Sequence, residues 1–84
     1  MKLTKREAVA LAALAQADEP MAGHRLAKAM TVAGQETTTS SAYQAGASLE
    51  RKGLAIRVQP VNYIAPRYEI SGTGRAHLEE VSGP

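Results

Sequence analysis

Hydrophobic residues recur at helical spacing through the first part of the chain and at every second position beyond Gly53. The stretch Thr4-Lys5-Arg6-Glu7 has the form of a capping box. In such a box the threonine hydroxyl accepts from the Glu7 amide and the Glu7 carboxylate accepts from the Thr4 amide. It predicts a helix from about Lys5 to Gln16, with Ala8, Leu11, Ala12 and Ala15 on one face and Leu14 beside them, closed by Asp18-Glu19-Pro20. A second helical pattern spans Ala22 to Met30 and turns Leu26, Ala27 and Met30 inward. The polar run Thr31 to Thr39, with Gly34 inside it, reads as a turn or loop.

The third pattern is "SSAYQAGASLERKGL", Ser40 to Leu54. Thr39, Ser40 or Ser41 caps its first turn by accepting backbone amides. Ala42, Ala45, Gly46 and Leu49 share a face. Gly53 suits the left-handed position after the last turn, and Arg51 and Lys52 complement the negative helix end.

The period then drops to two. Leu54, Ile56 and Val58 are expected on one side of a strand, with Arg57 and Gln59 on the other. Arg67 to Ser71 alternates again, with Tyr68 and Ile70 together. Pro60 and Pro66 bracket Val61 to Ala65, which cannot be a regular central strand throughout. The two strands read as a hairpin with a long tip. Ser71 or Thr73 caps a last helix, Gly74 to Val81, whose inward face is Ala76-His77-Leu78.

Composition narrows the class. The 84 residues make one domain, 1–84, with 44% hydrophobic residues and no cysteine, so neither a disulfide framework nor a thiolate metal site is available. The longest apolar run, Ala8 to Ala15, is too short for a bilayer, and no signal-peptide pattern follows Met1; a cytoplasmic location is the expectation. The net charge is only +2, yet from Arg51 to Tyr68 there are four cations and no carboxylate. A basic face is thus compatible with a weakly basic protein.

Three ordered stretches carry a family resemblance: "MAGHRLAKAM" (Met21 to Met30), "AYQAGASLERKGL" (Ala42 to Leu54) and "PRYEISGTGRAHLEEV" (Pro66 to Val81). Together they resemble the winged helix-turn-helix domains of bacterial transcription regulators, PadR-like above all and MarR-like more distantly. They correspond to the helix before the turn, the recognition helix running into the wing, and the returning wing strand with its T-x-x-G-R-type helix. The resemblance implies a mainly α fold with a small β-hairpin, in the order α-α-α-β-β-α. It also implies sequence-specific binding of double-stranded DNA by a repressor occupying an operator; binding as a dimer, or cooperatively, is expected because one module of 84 residues offers few base contacts.

On that resemblance the third helix enters the major groove and the wing lies along the backbone. Thr38, Thr39, Ser40 and Ser41 then hold a phosphate at a positive helix end, or serve only as a cap. Tyr43 bonds a phosphate or stacks on a sugar, unless it is buried, and Gln44 can pair with adenine. Ala47 and Ser48 permit close approach, and Arg57 and Arg67 neutralise backbone phosphates. Three departures from the family pattern stand out. Gly46 replaces a large aliphatic residue, so that another side chain fills the space or two helices or subunits approach closely. The Thr31 to Thr39 connection is long and polar. A dimerisation helix or domain usually follows such domains; with only the short helix to Val81 here, dimerisation by that route is not the expectation.

Catalysis finds no footing. His24 and His77 lie on different helices, without carboxylates at ligand spacing, and Gly72-Thr73-Gly74 lacks the spacing and the lysine of a phosphate loop. No enzyme activity, metal or cofactor is expected. Two rivals to regulation remain. One is a winged helix that binds protein through Tyr63 and Ile64 at the wing tip. The other is a phage or plasmid accessory factor that shapes DNA, for which a more basic chain is usual.

Overall fold

The computed structural model describes residues 2–58 and 66–82. The chain runs α1 (Lys5–Gln16), β1 (Met21–Ala22), α2 (Gly23–Val32), α3 (Thr39–Arg51), β2 (Ala55–Val58), β3 (Arg67–Ile70) and α4 (Gly72–Ser82). The expected hairpin of β2 and β3 is present and antiparallel, with Ala55 opposite Ile70 and Arg57 opposite Tyr68. A third strand joins it. β1 pairs with the other edge of β3, Met21 opposite Tyr68 and Ala22 opposite Arg67, so β3 is central.

Several helix ends have a local cause. At α1 the capping box forms in full: the Glu7 amide donates to Thr4 Oγ1 at 3.1 Å, and the Thr4 amide donates to Glu7 Oε1 at 2.9 Å. α2 extends two residues beyond the expected Met30, which shortens the connection to Ala33–Thr38. That connection is tied down. Gly34 takes a left-handed φ of 98°, and Thr31 Oγ1 donates to Ala27 O at 2.9 Å while accepting from the Thr37 amide at 3.2 Å. α3 is capped by Thr38, the first of the four hydroxyl residues at its start, and Gly53 follows it with φ 77°. At α4 the cap is Ser71. Its Oγ accepts from the Gly74 amide at 2.9 Å and donates to Gly53 O at 2.7 Å, tying the helix start to the turn after α3.

The core lies where the three helices meet the inner face of the sheet. Leu11, Leu14, Leu26, Met30, Leu49 and Leu54 are fully buried. Each such side chain contributes roughly 1.5–3 kcal/mol of transfer free energy. With no Phe or Trp in the chain, Tyr68 is the large aromatic that closes this core from the sheet side. Its ring covers Gly46; a Cβ there would stand 2.7 Å from Tyr68 Cδ2. The missing aliphatic on α3 is therefore replaced from β3, and the close approach is between helix and strand.

Several faces differ from the sequence expectation. On α1 the buried residues are Glu7, Ala10, Leu11 and Leu14, whereas Ala8 and Ala12 are exposed. In β2 the phase is reversed: Ala55 is buried and Ile56 exposed. Leu54 still belongs to the turn that closes α3, its amide donating to Leu49 O at 2.9 Å, so alternation begins one residue later. On α4, Ala76 is exposed and Leu78 packs against the core. Tyr63 and Ile64, the expected wing-tip partner site, lie outside the described residues.

Candidate nucleic-acid interface

α3 is held at its C-terminal half and presented at its N-terminal half. Glu7, only 5% exposed, lies under the C-terminal half. Its two carboxylate oxygens each stand 2.9 Å from Lys52 Nζ, and Ser48 Oγ donates to Oε2. Those donors and the Thr4 amide hold the Glu7 carboxyl far below its ordinary 4.5, at about 2; the Ser48 hydroxyl is the largest cause. Two expectations change here. Ser48 faces α1 instead of standing ready for a groove, and Lys52 answers a buried carboxylate more than a helix dipole.

No charged side chain occurs from Thr37 to Leu49, a run that includes the whole N-terminal half. Thr38 Oγ1 accepts from the Ser41 amide at 3.1 Å and donates to Ser41 Oγ at 3.0 Å, so both of these hydroxyls are engaged in the cap. Thr39 and Ser40 are exposed on the first turn, and Gln44 is exposed one turn on. The half-buried Tyr43 ring lies across the start of α2, where a Cβ on Gly23 would come within 2.5 Å of it. This aromatic is thus partly a packing group, and a side chain at the first position of α2 would push its ring aside.

Tyr43, Gln44 and Ala47 on α3 face Pro66 and Tyr68 across a shallow, mainly apolar cleft of about 470 Å³. Arg57, cross-strand from Tyr68, is exposed at the sheet edge and stands 3.8 Å from Glu50. Burial raises the Tyr68 phenol above its ordinary value, and the nearby Glu50 carboxylate adds to this.

The predicted site residues thus fall into two groups. Thr38 to Ser41, Tyr43 and Gln44 share the free end of α3, and Arg57 adjoins them through Tyr68. Arg67 is half-buried and, by strand alternation, on the other face of β3 from Tyr68. It lines a polar depression of about 200 Å³ with Glu19, Pro20, Ala22, His24 and Arg25. His24 and Arg25, both exposed, were not anticipated as site residues. The available signal was their place directly after Gly23, at a helix start that has no side-chain cap. The Glu7–Ser48–Lys52 contacts were also unforeseen. Among the described residues, no group of three or more potential metal ligands converges, and no helix is long and apolar enough to cross a membrane.

No family model matches the chain, and no curated protein does. Solved structures do. A probable transcriptional regulator from Pseudomonas aeruginosa superposes with a TM-score of 0.76 at 22% identity, over 95% of this chain and 57% of that one. A PadR family transcriptional regulator from Eggerthella lenta gives 0.66 at 24% identity, over 92% of this chain and 70% of that one. A PadR-like transcription factor from Bacteroides fragilis gives 0.62 at 17% identity, over 89% and 76%. The chain therefore spans little more than half the length of the Pseudomonas protein. The order of elements, the sheet topology and these superpositions give one answer: the chain has the winged helix-turn-helix fold found in transcriptional regulators of the PadR type.

Proposed function

We propose that this protein binds double-stranded DNA in a sequence-specific way and regulates transcription, as a repressor, by occupying an operator. The observation that carries this reading is the asymmetry of α3. One half is gripped by Glu7, while the other presents uncharged donors and Gln44 at a positive helix end. In this reading Thr39 and Ser40, with the capped Thr38 and Ser41, meet a phosphate. Gln44 pairs with adenine, and Tyr43 supports the sugar edge while packed on Gly23. Arg57 meets the backbone beside the wing. Arg67, with His24 and Arg25 near the start of α2, forms a second backbone contact. No catalytic, metal or cofactor chemistry is assigned, and the protein works in the cytoplasm, where its DNA is. One module this small offers few base contacts, so a homodimer on a two-fold operator supplies the specificity.

The test is fluorescence anisotropy against fragments flanking the gene and against a random duplex, at two salt concentrations. Fragment-specific binding that survives physiological salt is expected. Gln44→Ala should lower specific affinity by about tenfold or more and leave binding to the random duplex nearly unchanged. Equal, salt-erased binding to every duplex rules out operator recognition. A protein-binding winged helix then becomes the better reading, because Ile56 is 47% exposed on the outer face of β2 and offers an apolar contact beside the wing. Tyr63 and Ile64 would be tested with it.

A further inference from the structure

The cleft between α3 and the wing is an unusual surface for a DNA-facing position. It is apolar, and Tyr43, Gln44, Ala47, Pro66 and Tyr68 line it without a single charge. Its shallow, open form does not enclose a small molecule. Its surroundings suit a polyanion. The donor-rich start of α3 lies on one side, and on the other Arg57, cross-strand from Tyr68, balances the Glu50 carboxylate 3.8 Å away, so no net negative charge faces the cleft.

Gln44 and Ala47 are three residues apart, so they lie on neighbouring positions of one helical face. Their separation along the helix axis is about 4.5 Å, close to the rise of roughly 3.4 Å between adjacent base pairs. Glutamine matches the N6 and N7 edge of adenine, and alanine matches the C5-methyl of thymine. Resting on the DNA-binding reading above, we infer that this cleft receives a thymine C5-methyl group. Gln44 then reads an adenine in the same or the adjacent base pair. The Ala47 methyl, Pro66 and the Tyr68 ring form the walls, and Tyr43 closes the end nearest α2. The preferred site accordingly contains at least one A·T base pair at a fixed place in each half-site.

The experiment selects the preferred duplex from a random pool with the unmodified protein. Each thymine is then replaced singly by deoxyuridine, which removes only the methyl group. One thymine per half-site should show an affinity loss of about fourfold, the worth of one buried methyl group. Ala47→Asn, which puts an amide into the cleft, should abolish that sensitivity while the variant still binds DNA. Unchanged affinity at every thymine overturns the inference and leaves the regulator reading intact. Sensitivity that persists undiminished in Ala47→Asn also overturns it. Failure to select any sequence at all removes the DNA reading itself. If Ala47→Asn does not fold, the deoxyuridine scan of the unmodified protein decides alone.

Discussion

The two ends of α3 belong to one helix and obey opposite rules. The C-terminal half is bound to the body by Leu49 in the core, by Ser48 and Lys52 on the buried Glu7, and by the Glu50–Arg57 pair. The N-terminal half rests on alanines and on the Tyr43–Gly23 contact, and its other side chains are turned outward. Stability is concentrated at one end and chemical offering at the other. A rigid mount with an open tip can aim donors without hiding them.

Substitutions at the gripped end should weaken the fold most. Glu7→Gln leaves Lys52 without its anionic partner and is expected to cost about 3 kcal/mol in denaturant unfolding. A loss below about 1 kcal/mol would mean that α3 is not held there. The same group sets an acid limit. The folded-state value of Glu7, about 2, lies below its ordinary 4.5, so its stabilisation is complete above about pH 4.5 and disappears as the pH falls towards 2. Glu7→Gln should flatten that part of the pH–stability curve. At the midpoint of the helix, Gly46→Ala drives a methyl into the Tyr68 ring and should cost about 2 kcal/mol, despite the better helix propensity of alanine. At the open end, Thr38→Ala removes only a cap and should cost about 1 kcal/mol. Gln44→Ala should change thermal stability by less than about 0.5 kcal/mol, because the side chain is exposed. A larger effect from Gln44 than from Glu7 would reverse the comparison.

Much of this was legible in the chain. α2 and α3 were readable because Leu26, Met30 and Leu49 stand out against polar neighbours at clean helical spacing. The face of α1 was not, because alanine at positions 8, 10, 12, 13 and 15 gives no contrast between sides. β1 has two residues, too few to show alternation. The phase of β2 was hidden by Leu54, which reads as a strand residue but is buried by the turn that ends α3. At the site, the exposed hydroxyls and Gln44 followed from local pattern. The Glu7 contacts join residues 41 and 45 positions apart, and Tyr68 reaches Gly46 from another element, so neither leaves a local trace.

The Glu50–Arg57 pair has a consequence for how salt would act on binding. A free surface cation that meets a phosphate displaces a mobile ion from the DNA, and the released ions give binding its dependence on ionic strength. Arg57 already has a carboxylate 3.8 Å away. A phosphate arriving there competes with an anion that the protein carries itself and cannot shed into solution. In the proposed complex Arg57 would therefore meet DNA partly neutralised. Its hold on the backbone is weaker for that, and long-range attraction to DNA of any sequence is weaker too. On the proposed function, the choice of site would then fall to the uncharged tip of α3.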